Sequence, residues 1–257
     1  MEKDNFQNKI GWILQEKYDG KLTKDAKADI ERLKKGEPLD YIIGFTNFLG
    51  YKIDLSQKTL IPRVETEFWV GEVIEEIKNN YPPQTTNYKL HILDMFSGSG
   101  CIGISVMRHI KNSSLVFVDS EDNAILQIKV NCKVNKISKN KHKIIKSDVF
   151  SNIIGNFDYI FANPPYIPVK RKDKIQASVL KYEPKESLFG GYDGMLYIER
   201  FLLEAKDFLN KNGKIYMEFD PHQKPKIEKI ILKNNYSKYE FHKDQYGKWR
   251  YVMIIFD

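Results

Sequence analysis

The chain has 257 residues, of which 42% are hydrophobic, 29% charged and 13% aromatic, a length for one large domain or a standard domain with a small companion. This composition excludes a disordered chain, a collagen-like repeat and a coiled coil, and no run of about 18 apolar residues exists to span a membrane. The formal charge of +7 is uneven: residues 1–80 carry 13 Lys/Arg against 15 Asp/Glu, and residues 81–257 carry 28 against 19. A basic surplus of this kind fits a nucleic-acid or ribonucleoprotein partner, but a solvated lysine-rich surface explains it more simply.

The N-terminal stretch reads as short helices. Phe6, Ile10, Ile13 and Leu14 recur at helical spacing, as do Ala26, Ile30 and Leu33, with Thr23 and Asp25 as a helix start and Gly36 and Pro38 as a stop. Phe45–Leu49 and Tyr51–Leu55 flank Gly50 as a β-hairpin, and Val70–Ile77 is helical again. Asn79–Tyr88, with two prolines among polar and turn-forming neighbours, is the clearest break. Three segments follow: a small helical domain at 1–40, a hairpin-and-helix linker at 41–88, and the main domain at 89–257.

Beyond the break, strand and helix alternate. Strands are expected at Leu90–Asp94, Ser114–Asp119, Lys143–Ser147, Phe157–Ala162 and Lys214–Phe219. Helices are expected at Cys101–Ile110, Ala124–Asn135, Met195–Leu209 and Pro225–Leu232, and Lys238–His242 with Trp249–Phe256 closes the chain as an antiparallel pair. Apolar strands alternating with helices predict an α/β fold, a doubly wound, mostly parallel sheet covered on both faces. Ligands bind such sheets past the carboxyl ends of the strands.

The first of these strands runs into Asp94-Met95-Phe96-Ser97-Gly98-Ser99-Gly100. Gly98 and Gly100 permit a tight turn and close backbone approach, and the helix that follows offers free N–H groups to an anion. The next strand ends in Asp119, placed to accept both ribose hydroxyls of a nucleoside. Phe96 stands where a GxGxxG loop has its first glycine, which argues against a dinucleotide. Asp148 ends a third strand before Val149 and Phe150, where an adenine amino group would be read between apolar side chains; a helix-capping Asp before a core Phe is the equal alternative.

Asn163-Pro164-Pro165-Tyr166 follows another strand. Two prolines at a strand end fix a rigid extended turn without N–H donors. A planar substrate NH₂ group could donate to the Asn163 side-chain oxygen and the Pro164 carbonyl, while Tyr166 stacks on the planar group.

Together, Asp94–Gly100, Asp119 and Asn163–Tyr166 resemble the Rossmann-like class I methyltransferases that use S-adenosylmethionine. Their NPPY branch methylates adenine N6, cytosine N4 or glutamine N5. Further segments are similar to the release-factor glutamine methyltransferases, the HemK family. These are Gly36-Glu-Pro-Leu-Asp-Tyr41, Gly44, Phe48, Leu60-Ile-Pro-Arg63, Glu65-Thr-Glu67, Ser147–Phe150, Asn163–Pro168, Tyr182-Glu-Pro184, Asp193-Gly194 and Asp244-x-x-Gly247-x-x-Arg250. The resemblance covers nearly the whole chain from about residue 36. It implies a seven-stranded sheet and an N-terminal helical domain that recognises substrate. The implied reaction moves the methyl of S-adenosylmethionine to the glutamine of the glycine-glycine-glutamine loop of a peptide chain release factor, leaving S-adenosylhomocysteine. It makes Asn163, Pro164 and Tyr166 catalytic. Asp94, Phe96, Ser97, Gly98, Ser99, Gly100, Asp119, Asp148, Val149, Phe150 and Asn163 would hold the cofactor. Asn163, Pro164, Pro165, Tyr166 and Arg63 would hold the substrate.

The chain departs from the family at Phe96, usually glycine, at Val64, usually proline, and at Val149, often tryptophan. The polar segment Met1–Gln7 has no signal core, and Cys101 and Cys132 make no CxxC pair. The expectation is a cytoplasmic monomer with neither a metal nor a membrane attachment. The run Lys170-Arg171-Lys172 with Lys174 follows the proline turn as a lip for an acidic protein or ribosomal RNA, or as a solvated loop. Nucleic acid could be touched there without being the substrate. Two rival functions remain: an adenine N6-methyltransferase on DNA or RNA, which would need a flipped base and a recognition insert, and a non-catalytic nucleoside-binding module on the same fold.

Overall fold

The computed structural model describes residues 2–80 and 88–256. Most of the expected break at Asn79–Tyr88 lies outside them; Asn79 and Asn80 are the last residues of a helix. Three helices open the chain: α1 (Glu2–Tyr18), α2 (Lys24–Lys34) and α3 (Leu39–Ile43). They pack on Ile13, Leu33 and Ile42. Thr23 caps α2 by accepting from the Ala26 N–H at 3.1 Å. Asp29, buried beneath them, accepts from Lys17 (2.5 Å), Tyr18 (2.8 Å) and Arg32 (2.6 Å), which hold its carboxyl below the usual range against the opposing effect of burial.

Strands β1 (Phe45–Phe48) and β2 (Tyr51–Asp54) form a hairpin through Leu49 and Gly50, both at positive φ as a tight hairpin turn demands. Helix α4 runs from Val64 to Asn80, starting six residues earlier than the apolar spacing suggested. Its first turn is built from the charged Glu65-Thr66-Glu67, and Glu67 accepts from the Leu49 N–H at 2.6 Å, fastening the helix to the hairpin. Phe48, Ile53, Trp69, Val70, Val73 and Ile74, all from the expected linker, join the core under the main sheet.

The elements that follow are β3 (Leu90–Met95), α5 (Cys101–His109), β4 (Ser113–Asp119), α6 (Asp122–Val134), β5 (His142–Lys146), β6 (Phe157–Ala162), α7 (Ala177–Tyr182), α8 (Leu196–Glu204), β7 (Leu209–Glu218), α9 (Lys224–Lys233), β8 (Lys238–Lys243) and β9 (Trp249–Phe256). Seven strands form one sheet in the order β5-β4-β3-β6-β7-β9-β8. All neighbours are parallel except those involving β9, which is antiparallel to both β7 and β8. The chain winds outward from β3 to β5 and then returns to β6 on the other side of β3. The loops after β3 and β6 therefore diverge at the point where such sheets open a crevice. Among the described residues no helix is long and apolar enough to cross a membrane.

One expected element is corrected. The helix expected over Met195–Leu209 ends at Glu204, a 3₁₀ turn spans Ala205–Phe208, and β7 begins at Leu209 rather than Lys214. Leu209 pairs with Phe157, and the register then slips before Tyr159 pairs with Lys214. Gly213 makes the slip possible: a Cβ there would lie 2.8 Å from the Asn210 carbonyl oxygen and 3.0 Å from that of Phe157. Asn210-Lys-Asn-Gly213, which falls between the expected helix and the expected strand, is an irregularity inside a strand.

Helix α5 lies unusually close to the sheet at Gly103, where a Cβ would come within 2.4 Å of the Phe117 ring and 2.9 Å of Asp94 Oδ2. Replacing Gly103 with alanine is expected to lower stability by about 1–3 kcal/mol through overpacking. Urea denaturation of the variant against the parent chain measures it.

Candidate active site

The loop from Phe96 to Gly100 leaves β3 with Phe96, Gly98 and Gly100 all at positive φ. Ser97 fastens it to β4: its hydroxyl donates to the Asp94 carbonyl (2.7 Å) and accepts from the Val118 N–H (2.9 Å). Asp119 completes the turn by accepting from the Gly98 N–H at 2.8 Å on one carboxylate oxygen and from the Glu121 N–H at 3.0 Å on the other. Burial pushes the Asp119 carboxyl upward, and these two donors pull it back. A Cβ on Gly98 would meet no atom within 4 Å, so the loop presents bare backbone to open space.

A cavity of about 130 Å³ opens beside this turn, walled by Phe96, Gly98, Asp119, Asp148, Val149 and Tyr197 among others. Five of the expected cofactor residues stand behind the wall. Asp94 lies under the loop, fully buried, with Oδ2 accepting from the Gly103 N–H at 2.9 Å and Oδ1 unpartnered. Ser97 and Ser99 are buried, the Ser99 carbonyl accepting from Asn131 at 2.9 Å. Gly100 packs against Ile128 and Phe117. Phe150 is in the core, stacked on Phe201 and Phe208. Asp148 is on the wall, but its carboxylate forms a two-pronged pair with Arg200 of α8, both contacts 2.9 Å. Phe96 and Val149 both hold left-handed backbone with φ of 60° and 48°, a conformation that costs a bulky or β-branched residue about 1–3 kcal/mol. The chemistry of the wall suits a nucleoside: a carboxylate with spare lone pairs, bare loop backbone, and apolar faces from Phe96, Val149 and Tyr197.

Asn163-Pro164-Pro165-Tyr166 leaves β6 directly. Its backbone is held from behind at short range. Gln223 donates to the Tyr166 carbonyl (2.9 Å) and the Gly194 carbonyl (2.8 Å), and Ile167 exchanges backbone bonds with Leu188 and Gly190. A Cβ on Gly190 or Gly194 would fall 2.3 or 2.2 Å from the Pro165 or Tyr166 carbonyl oxygen, so only glycine allows this approach. A second cavity, about 380 Å³, lies on the far side of the turn, lined by Leu60, Arg63, Asn163, Pro164, Tyr166 and Glu218 among others. Leu60, Asn163 and Ser187 belong to the walls of both cavities. Arg63 is fixed there by a 2.7 Å ion pair with buried Glu183, which also accepts from the Ile61 N–H. The basic run takes the form of a 3₁₀ turn, Val169–Lys174, leading into the cavity wall at Ile175 and Gln176.

The site includes residues that the sequence reading passed over. Glu218, at the carboxyl end of β7 and 1% exposed, accepts from Thr66 Oγ1 (2.7 Å), Trp69 Nε1 (2.7 Å) and the Tyr166 hydroxyl (2.9 Å). Thr66 in turn lies 3.4 Å from Asn163 Nδ2. Burial and the neighbouring Glu218 hold the Tyr166 phenol well above its ordinary range, so it stays protonated and donates. The rule that picked out Asp94 and Asp119, an acid ending an apolar strand, also describes Glu218.

A family profile described as "Methyltransferase small domain" matches residues 77–188. The release factor glutamine methyltransferase of Lactococcus lactis is 31% identical over 96% of this chain and 88% of its own length. That of Clostridium botulinum is 34% identical over 87% of this chain and 77% of its own. Among solved structures, the N-terminal domain of human METTL16 in complex with SAH superposes with a TM-score of 0.56 at 16% identity, over 81% of this chain and 76% of that one, a likeness of fold.

Burial pushes the Asp94 carboxyl up to about 7, above the 3.8 of an unburied aspartate, so the folded state binds its proton more tightly than the unfolded one. The stabilising contribution is complete below about pH 4 and is lost as pH rises through about 7. Asp94→Asn removes this loss. Its melting temperature relative to the parent is expected to rise by a few degrees between pH 5 and pH 8, read by differential scanning calorimetry.

Proposed function

The chain belongs to the release factor glutamine methyltransferases, and from that premise we propose that it methylates the glutamine N5 of the glycine-glycine-glutamine loop of a peptide chain release factor in the cytoplasm, using S-adenosylmethionine. The observation that carries this reading is that Asn163 stands in the wall of both cavities, one suited to a nucleoside and one open to a side chain. When bound, S-adenosylmethionine supplies a methyl group already activated on a sulfonium. Asp119 would accept from the ribose hydroxyls, the Gly98 backbone would approach the cofactor closely, and Phe96, Val149 and Tyr197 would flank the adenine.

The remaining chemistry belongs to the chain. A carboxamide nitrogen is a poor nucleophile because its lone pair is delocalised into its carbonyl. Asn163 Oδ1 and the Pro164 carbonyl accept its two hydrogens and aim the nitrogen at the nucleoside cavity. Both acceptors bind more strongly as the nitrogen gains positive charge, which favours the transition state over the ground state. Tyr166 packs its ring on the planar group, and the turn's rigidity supplies orientation in advance. The proton leaves to water, and no strong base is needed. A third cavity, between α1, α2 and this rim, shares Arg63, Gln176 and Val179 with the glutamine cavity. That continuity supports a role for residues 1–40 in gripping the release factor beyond its glutamine.

Asn163→Ala is expected to leave cofactor affinity nearly unchanged and to slow single-turnover methyl transfer about 10²-fold or more. Replacing the loop glutamine of the release factor with alanine should abolish labelling. Equal labelling of that control, or labelling of adenine-containing RNA or DNA instead, would refute the glutamine assignment. Asp119→Ala is expected to weaken cofactor binding by roughly 1.5–3 kcal/mol in titration calorimetry.

A further inference from the structure

An asparagine that accepts from a substrate N–H works in only one of two nearly isosteric orientations. Turned over, Asn163 would present its own NH₂ to the substrate NH₂, donor against donor. Something in the wall must choose between the two, and the proline turn cannot, because it fixes backbone and not the side-chain amide.

The hydrogen-bond directions around Glu218 make that choice. The Trp69 indole nitrogen is a donor only, so Glu218 Oε2, 2.7 Å away, accepts. The same oxygen accepts from Thr66 Oγ1 at 2.7 Å. A threonine hydroxyl has one hydrogen, and here it is used on Glu218. Toward Asn163 the hydroxyl therefore offers lone pairs alone. It faces Nδ2 at 3.4 Å, the long end of an N–H···O contact, as catalytic contacts often are without substrate. Nδ2 is thereby drawn to Thr66, and Oδ1 is left as the acceptor for the cavities.

Glu218 itself cannot swing. The Tyr166 hydroxyl holds its other oxygen at 2.9 Å, and the Arg250 guanidinium, gripped at 2.9 and 3.0 Å by buried Asp244, adds its charge nearby. We propose that Thr66, held by Glu218, is a positioning residue that sets the amide orientation of Asn163 for methyl transfer. The proposal rests on Asn163 being the acceptor for the substrate amide, and it assigns a task to the first turn of α4, whose Glu65-Thr66-Glu67 otherwise has no part in the reaction.

The test compares Thr66→Val, Thr66→Ala and Thr66→Ser in the full chain. Transfer to a release factor is measured at saturating cofactor, with cofactor affinity measured by calorimetry. Valine keeps the shape without the hydroxyl, alanine removes the hydroxyl with no risk of overpacking, and serine keeps the hydroxyl without the methyl. Expected are a loss of kcat of about tenfold or more for valine and alanine, the scale of one misdirected hydrogen bond, with cofactor affinity within about twofold. Serine is expected to retain at least about a third of the parent kcat. Full activity in the alanine variant overturns the proposal, and so does an equal loss in all three variants, which would make packing the cause. Asn163→Ala in the same assay separates the premise from the proposal. Activity without Asn163 fails the premise, whereas an inactive Asn163→Ala beside a fully active Thr66→Ala fails the proposal alone.

Discussion

The site hangs on one buried carboxylate. Glu218 joins three parts of the chain that are distant in sequence: the first two turns of α4 through Thr66 and Trp69, the proline turn through Tyr166, and the central sheet through its own place at the end of β7. A charge taken out of water is expensive unless it is fully hydrogen-bonded. The arrangement is therefore close to all-or-none. Remove a donor and the carboxylate is left under-satisfied in an apolar setting; satisfy all three and α4, the turn and the sheet are locked in one geometry. Trp69, stacked between Phe161 and Tyr251, makes the same point in packing terms, since its ring fills the core while its nitrogen fixes the carboxylate.

The two sides of Asn163 are built by different means. On the side of the smaller cavity the backbone is strained at Phe96 and Val149; Ser97, Asp119 and the packing of Phe96 on Tyr197 and Phe201 hold the first, and the Ser147 hydroxyl donating to the Val149 carbonyl holds the second. On the side of the larger cavity the backbone is pressed from behind by Gly190, Gly194 and Gln223. In both cases the surroundings, rather than local preference, determine the conformation.

How much of this is legible in the sequence follows from how local each signal is. The sheet could be read because its strands are short apolar runs between helices, and the loops at Asp94–Gly100 and Asn163–Tyr166 because glycine and proline mark them in order. The start of α4 was hidden by the polar residues of its first turn, of which Glu67 docks on the hairpin and Thr66 on Glu218 instead of forming an apolar stripe. The start of β7 was hidden by Asn210–Gly213, a turn-like sequence whose bulge exists only because β6 lies alongside. Arg200 could not be foreseen as the partner of Asp148, because nothing near either residue in sequence announces the pair. Glu218 had a strand-end signal, but no glycine loop follows it to draw attention.

Sequence separation measures the contrast. The Gly98–Asp119 bond that shapes the glycine turn closes 21 residues, whereas Asn163 to Thr66 spans 97, Arg63 to Glu183 spans 120 and Thr66 to Glu218 spans 152. Short closures lose little chain entropy and form from neighbouring strands of one βαβ unit; long ones require the whole domain to be assembled first. The glycine turn can therefore be carried by a fragment of pattern that many sheets of this topology could share. The larger cavity at Asn163 exists only when residues from before β3 are brought against the carboxyl ends of β6 and β7. The Leu60–Glu67 segment supplies Leu60, Arg63 and Thr66 to the walls and supports of one cavity, and the partners it meets there lie about a hundred residues away or more, at 97 for Thr66 to Asn163 and 120 for Arg63 to Glu183.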